Sequence, residues 1–123
     1  MSDLNGPGLA SAVPVAILIG LVSWILYGCV RAASTSRLGI NPYVGIRVPA
    51  VMKSPSAWKA GHAAAQRWCA RSAAFATLAM VASVLVSHSV VLYLVALGLA
   101  LAGLLGGLVI ATVSAVGAAR RVE

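Results

Sequence analysis

Two long stretches of this chain carry no formal charge: residues 4–30, and everything between Arg71 and Arg120. About 20 apolar helical residues cross the ~30 Å hydrocarbon core of a bilayer. The run LASAVPVAILIGLVSWILYGCV, Leu9 to Val30, is therefore long enough to cross once. Pro14 falls near its start, where a missing N–H is tolerated. The segment ahead of it holds Asp3 and no Lys or Arg. The run also exceeds the ~7–15 residue apolar core of a signal peptide, so it reads as a permanent helix. The second uncharged stretch is too long for one crossing, since as a single helix it would extend roughly 72 Å. It must fold back, and its one polar cluster is Ser87-His88-Ser89. The pattern thus predicts a single membrane domain, residues 1–123, with spans at about 9–30, 68–86 and 90–116.

The polar interruption, residues 31–67, divides in two. Its first half, RAASTSRLGINPYVGIRVPA, is broken by Gly and Pro. Asn41 before Pro42 favours a turn, and Pro49 keeps Val48 out of the helical region. This half reads as an extended or re-entrant connector, with Ile40, Tyr43, Val44 and Ile46 available to press on the membrane interface. In the second half Ser54 suits an N-cap and Pro55 the first helical position. On a helical wheel Trp58, Gly61, Ala65, Trp68 and Cys69 share one side. Lys59, Gln66, Arg67 and Arg71 take the other, with His62 at the border. That is the pattern of an interfacial amphipathic helix running into the second span. The fold class expected is an all-α integral membrane protein: three transmembrane helices and a cytoplasmic interfacial amphipathic helix between the first and second.

Charge orients this arrangement. Nine Lys and Arg stand against two acids, Asp3 and Glu123, in a chain that is 61% hydrophobic. In a soluble protein such an excess would point to nucleic acid. Here every basic residue lies outside the apolar runs, which points to membrane surface and not to direct nucleic-acid binding. Three crossings put the Arg31–Arg71 group and Arg120–Arg121 on one side, cytoplasmic by the positive-inside rule. The amino terminus and the Ser87–Ser89 turn are then outside and the carboxyl terminus inside. Lys59, Arg67 and Arg71 are the residues expected to meet anionic headgroups.

Enzymatic chemistry finds little support. General acid–base work wants paired titratable groups, and no acid lies between Asp3 and Glu123. No span holds a charge that could carry a proton or ion. Cys29 and Cys69 read as small packing residues, and one His with one Cys is no metal site. No cofactor or metal is expected. Trp58 and His62 are four residues apart on one helix, so their rings can touch. Stacking and hydrogen bonding is the leading role for His62, ahead of pH sensing or binding, with catalysis last. Arg47 is either a tether for its loop or a cation for a ligand. In the third span Ala96, Ala100, Gly103, Gly107, Ala111, Ala115 and Ala118 make a small-residue stripe, a packing face in lipid. It serves either the chain's own spans or a homo-oligomer or partner subunit.

The sequence NPYVGIRVP, followed by WKAGH, resembles the signature of the SdpI family of small bacterial membrane proteins. The matching positions are Asn41, Gly45, Ile46, Arg47, Pro49, Trp58 and His62. The layout of one span, this loop and two close-set spans is similar too. Val48 stands where the family carries Thr, and Ser56 and Ala57 where acidic residues are frequent. The resemblance implies a multi-pass protein of the bacterial inner membrane that binds rather than catalyses. Its expected role is immunity against a membrane-active peptide toxin, capture of a cytoplasmic regulator through the loop, or both. The alternative is an accessory subunit of a larger membrane complex, packed through Ala100, Gly103, Gly107 and Ala111.

Overall fold

The computed structural model describes residues 5–122; Asp3 and Glu123, the two acids, lie outside the described residues. Its elements are four helices: α1 Leu9–Ser34, α2 Pro49–Met52, α3 Pro55–Leu85 and α4 Val90–Arg120. Three of them, α1, α3 and α4, are long and apolar enough to cross a membrane. Their outer faces present large apolar side chains such as Ile17, Leu78, Leu105 and Val113, each more than 60% exposed. Such surface is favourable against hydrocarbon and unfavourable against water.

The boundaries follow local chemistry. Ser54 is extended (φ −159°) and its Oγ accepts the Ala57 N–H at 3.1 Å, while Pro55 occupies the first turn. Ser89 caps α4 in the same way, accepting from the Leu92 N–H. The reversal between α3 and α4 occupies residues 86–89. There Gly6 N–H donates to the His88 carbonyl and Gly8 N–H to the Ser87 carbonyl, tying the segment before α1 to the turn.

One sequence expectation is sharpened and one changes. The amphipathic segment continues into the second span as one helix: α3 runs unbroken from Pro55 to Leu85. No Gly or Pro interrupts it after Gly61, so nothing in the backbone forces a break. A one-turn helix, α2, also forms where an extended connector was expected, with Pro49 fixing its first position and Val48 extended before it.

Helix α3 lies in the middle, packed by α4 and by α1, whereas α1 and α4 scarcely touch. The α3–α4 seam is built on small residues. Ala96, Ala100, Ala111 and Ala115 are buried, and a Cβ on Gly103 or Gly107 would run into Phe75 or Ser72. Ser72, itself buried, donates to the Leu104 carbonyl at 3.2 Å. The buried row ends at Ala119, not Ala118, because this face advances in steps of four from Ala111. The α1–α3 seam uses polar pairs instead. Trp24 Nε1–H donates to Thr77 Oγ1 at 2.9 Å, and Ser34 Oγ lies 3.0 Å from Gln66 Oε1.

Candidate functional site

The loop between α1 and α2 is folded by its own side chains. Helix α1 ends through Ser36, a non-glycine residue at φ 66°, with the Arg37 and Leu38 N–H groups both returned to the Ala32 carbonyl. Asn41 then organises the next turn. Its Oδ1 accepts the Tyr43 and Val44 N–H groups at 2.9 and 2.7 Å, and its Nδ2 donates to the Gly39 and Val44 carbonyls. Asn does this well because its amide copies a peptide group. Arg47 closes the turn, Nε–H donating to the Asn41 carbonyl at 3.1 Å.

Trp58 and His62 hold this loop against α3. Trp58 is 2% exposed, and its Nε1–H donates to the Leu38 carbonyl at 2.8 Å. His62 is wholly buried, with its ring centroid 4.2 Å from that of Trp58 at a 48° tilt. The Ile46 N–H donates to His62 Nε2 at 2.9 Å, so the ring proton resides on Nδ1, which donates to the Trp58 carbonyl at 2.7 Å. Both nitrogens of a neutral imidazole are thereby satisfied. His62 lies two turns ahead of the apolar part of α3. Burial holds its pKa below the ordinary value of 6.5, partly offset by the Trp58 carbonyl.

Gly45 makes this approach possible. It sits at φ +109°, and a Cβ there would lie 2.7 Å from Trp58 Cη2 and 2.9 Å from His62 Nε2. Only glycine meets both conditions without strain. Below, Val51 of α2 is fully buried against Gly61, where an added Cβ would stand 3.2 Å from both Val51 methyl carbons.

The seven motif positions therefore sort by depth. Trp58 and His62 point inward, Ile46 is half-buried, Asn41 and Arg47 bond the loop, Gly45 admits the rings and Pro49 opens α2. The wheel had put Trp58 on the less polar side of an interfacial helix and His62 at its border. Both are instead enclosed by the loop, which folds back over that face of α3. Tyr43, at 86% exposure, with Ile40 and Val44, forms the outer surface. Lys59, exposed, borders a gap that loop residues Ser36, Leu38, Gly39 and Ile40 share with α3. Arg67 and Arg71 lie 5.4 and 4.9 Å from the Trp68 ring, as cation–π pairs. Ala100, Gly103 and Gly107 lie on the α3–α4 seam, and Ala111, on the same seam, also lines the cavity under the loop. Sequence reading missed Leu38 and Val51; the first acts through its carbonyl and the second through fit to Gly61, and neither leaves a residue-type signal.

Under the loop, the gap between α1 and α4 becomes a cavity of about 510 Å³. Residues 43–48 roof it, Cys29 and Val30 wall it from α1, Leu108 and Thr112 from α4, and Cys69 of α3 contributes. Among the described residues Arg47 is the one charged residue on its lining. Among the described residues no group of three His, Cys, Asp or Glu side chains could hold a metal.

One family model matches the chain: that of the SdpI/YfhL protein family, over residues 37–116, from the loop to most of α4. No curated protein and no solved structure matches.

Proposed function

The chain belongs to the SdpI/YfhL family, and from that premise we propose that it is an immunity-type membrane binding protein. It acts at the bacterial inner membrane with the loop on the cytoplasmic side. In this reading the loop's outer surface recognises a membrane-active peptide toxin, a cytoplasmic regulator, or both. The observation that carries it is the division of labour in the motif. Asn41, Gly45, Trp58 and His62 use their side chains or conformational freedom to fix one loop conformation, leaving Ile40, Tyr43 and Val44 displayed on it. A preformed surface binds without first being ordered, which favours affinity. Binding is also the chemistry that suits a sequence with no acid between Asp3 and Glu123.

The test is purification of the tagged protein from its native membrane in gentle detergent, with mass spectrometry of what accompanies it. A small secreted peptide or a soluble DNA-binding regulator, lost in a Tyr43→Ala/Val44→Ala double variant at unchanged protein level, supports the reading. A large membrane assembly in near-equal amount, indifferent to those substitutions, overturns it in favour of an accessory subunit. That alternative has less behind it, since Ala100, Gly103, Gly107 and Ala111 are already taken up by the seam with α3.

A further inference from the structure

The cavity under the loop has a shape and a polarity of its own. Its side walls, α1 and α4, scarcely touch, so it is a groove between two helices long and apolar enough to cross a membrane, with Cys69 of α3 on its lining. The walls offer Leu26 and Val30 on one side and Leu108 on the other, surface that an alkyl chain would cover. Its volume, about 510 Å³, lies within the ~300–1,000 Å³ of sites that enclose small molecules. Leu26 is eight residues before the end of α1 at Ser34, and Leu108 twelve before the end of α4 at Arg120. At 1.5 Å per residue the groove reaches roughly 12 Å below the end of α1 and roughly 18 Å below that of α4. It begins at the level of the basic loop and ends among hydrocarbon-facing residues.

At the top stands Arg47. Its Nε–H is bound to the Asn41 carbonyl, which anchors the side chain, and its terminal NH₂ groups have no partner among the described residues. Among the described residues there is no Asp or Glu, so none of them offers this guanidinium a carboxylate. An alkyl-lined groove under one anchored guanidinium matches an amphiphile whose anionic group sits at its polar end. Guanidinium pairs with phosphate through two parallel hydrogen bonds.

We propose that this groove is a binding site for one anionic phospholipid, with an acyl chain between α1 and α4 and its phosphate on Arg47. The lipid fills space that the three helices leave unpacked, and it supplies a counter-charge that no described residue offers Arg47. Arg67 and Arg71 do not compete for the role: they lie against Trp68 and are not part of the groove's lining. The proposal is independent of the immunity reading, because lipid retention is measured with neither toxin nor regulator present and each can fail alone.

Native mass spectrometry of the full chain, delipidated in mild detergent and offered equal amounts of phosphatidylglycerol and phosphatidylcholine, tests it. The expected result is one retained phosphatidylglycerol, favoured about fivefold, the factor a single basic residue near an anionic headgroup provides. Arg47→Gln should remove the preference and Arg47→Lys restore much of it. Cys29→Trp, which fills the groove from α1, should abolish retention of either lipid while Arg47 remains. Inorganic phosphate should not displace the bound lipid. Equal retention of the two lipids, a preference that survives Arg47→Gln, or retention untouched by Cys29→Trp would each overturn the assignment. So would displacement by phosphate, or recovery of a peptide in the lipid's place. Should Arg47→Gln fail to fold, the Arg47→Lys and Cys29→Trp results decide the matter by the same criteria.

Discussion

The two ends of this helical bundle reverse the chain by different means. At the turn end, four residues suffice between α3 and α4, and the segment before α1 is tied on through backbone groups of Gly6 and Gly8. Among the described residues the side-chain contribution there is a single cap, Ser89 Oγ. At the loop end, some twenty residues cross from α1 to α3, and side chains direct nearly every step: Asn41, Arg47, Trp58 and His62 each hold a backbone group. A tight reversal needs little beyond the helices it joins. A long loop loses more conformational entropy and keeps one shape only with specific bonds to offset that loss. Polar side chains concentrated where geometry alone would not require a loop mark the place where shape matters.

The largest expected effect comes from removing the pillar of the loop end. Trp58→Ala deletes a buried ring and the bond to the Leu38 carbonyl, and should cost about 3–5 kcal/mol. Thermal unfolding in detergent reads the loss, with limited proteolysis at residues 36–47 showing where the chain opens. Next comes Gly45→Ala, which sets a methyl 2.7 Å from Trp58 Cη2 at φ +109°. Strain and overpacking together should cost about 2–3 kcal/mol. If Gly45→Ala were as stable as the parent, the rings would not sit against that backbone. At the other end Ser89→Ala removes one cap and should cost about 1 kcal/mol, leaving loop proteolysis unchanged. A Ser89 effect rivalling that of Gly45 would reverse the ranking of the two ends.

The same contrast explains what could be read from the chain. Uncharged runs bounded by basic clusters are set by the bilayer's thickness, so three long helices and a reversal near Ser87–Ser89 were visible in composition alone. So were the Ser54 and Ser89 ends, where short-range capping decides, although only the first was singled out. The inward turn of Trp58 and His62 was not visible. A wheel assigns a face but not what covers it, and here the cover is a loop eleven or more residues earlier in sequence. Ile46 and Leu38 meet α3 through backbone N–H and carbonyl groups, which every residue has. The cavity was hidden for a related reason: it exists because α1 and α4 both choose α3 and leave each other apart, and no local pattern encodes that choice.

The smallest effect is the most specific to the loop end. His62 accepts the Ile46 N–H only while its Nε2 is unprotonated. Its side chain is enclosed, and burial lowers its pKa from 6.5. The facing groups are the Trp58 ring and carbonyl, Gly45 and the Ile46 N–H. Lys59 and Arg47, the basic residues nearest in sequence on the two elements, would only disfavour a second positive charge. An exposed histidine takes up its proton near 6.5, the folded one at lower pH. Stability from this group is therefore complete above about 6.5 and declines as pH falls from there toward the folded value. Hydrogen exchange at the Ile46 amide should accelerate relative to Leu92, the capped amide of the turn end, between pH ~7.5 and ~5.5 after correction for intrinsic rates. His62→Phe, which keeps a ring beside Trp58 but offers no acceptor, should exchange fast at Ile46 throughout and lose the pH dependence. Equal pH response at both amides would mean that the loop is held by something other than this imidazole.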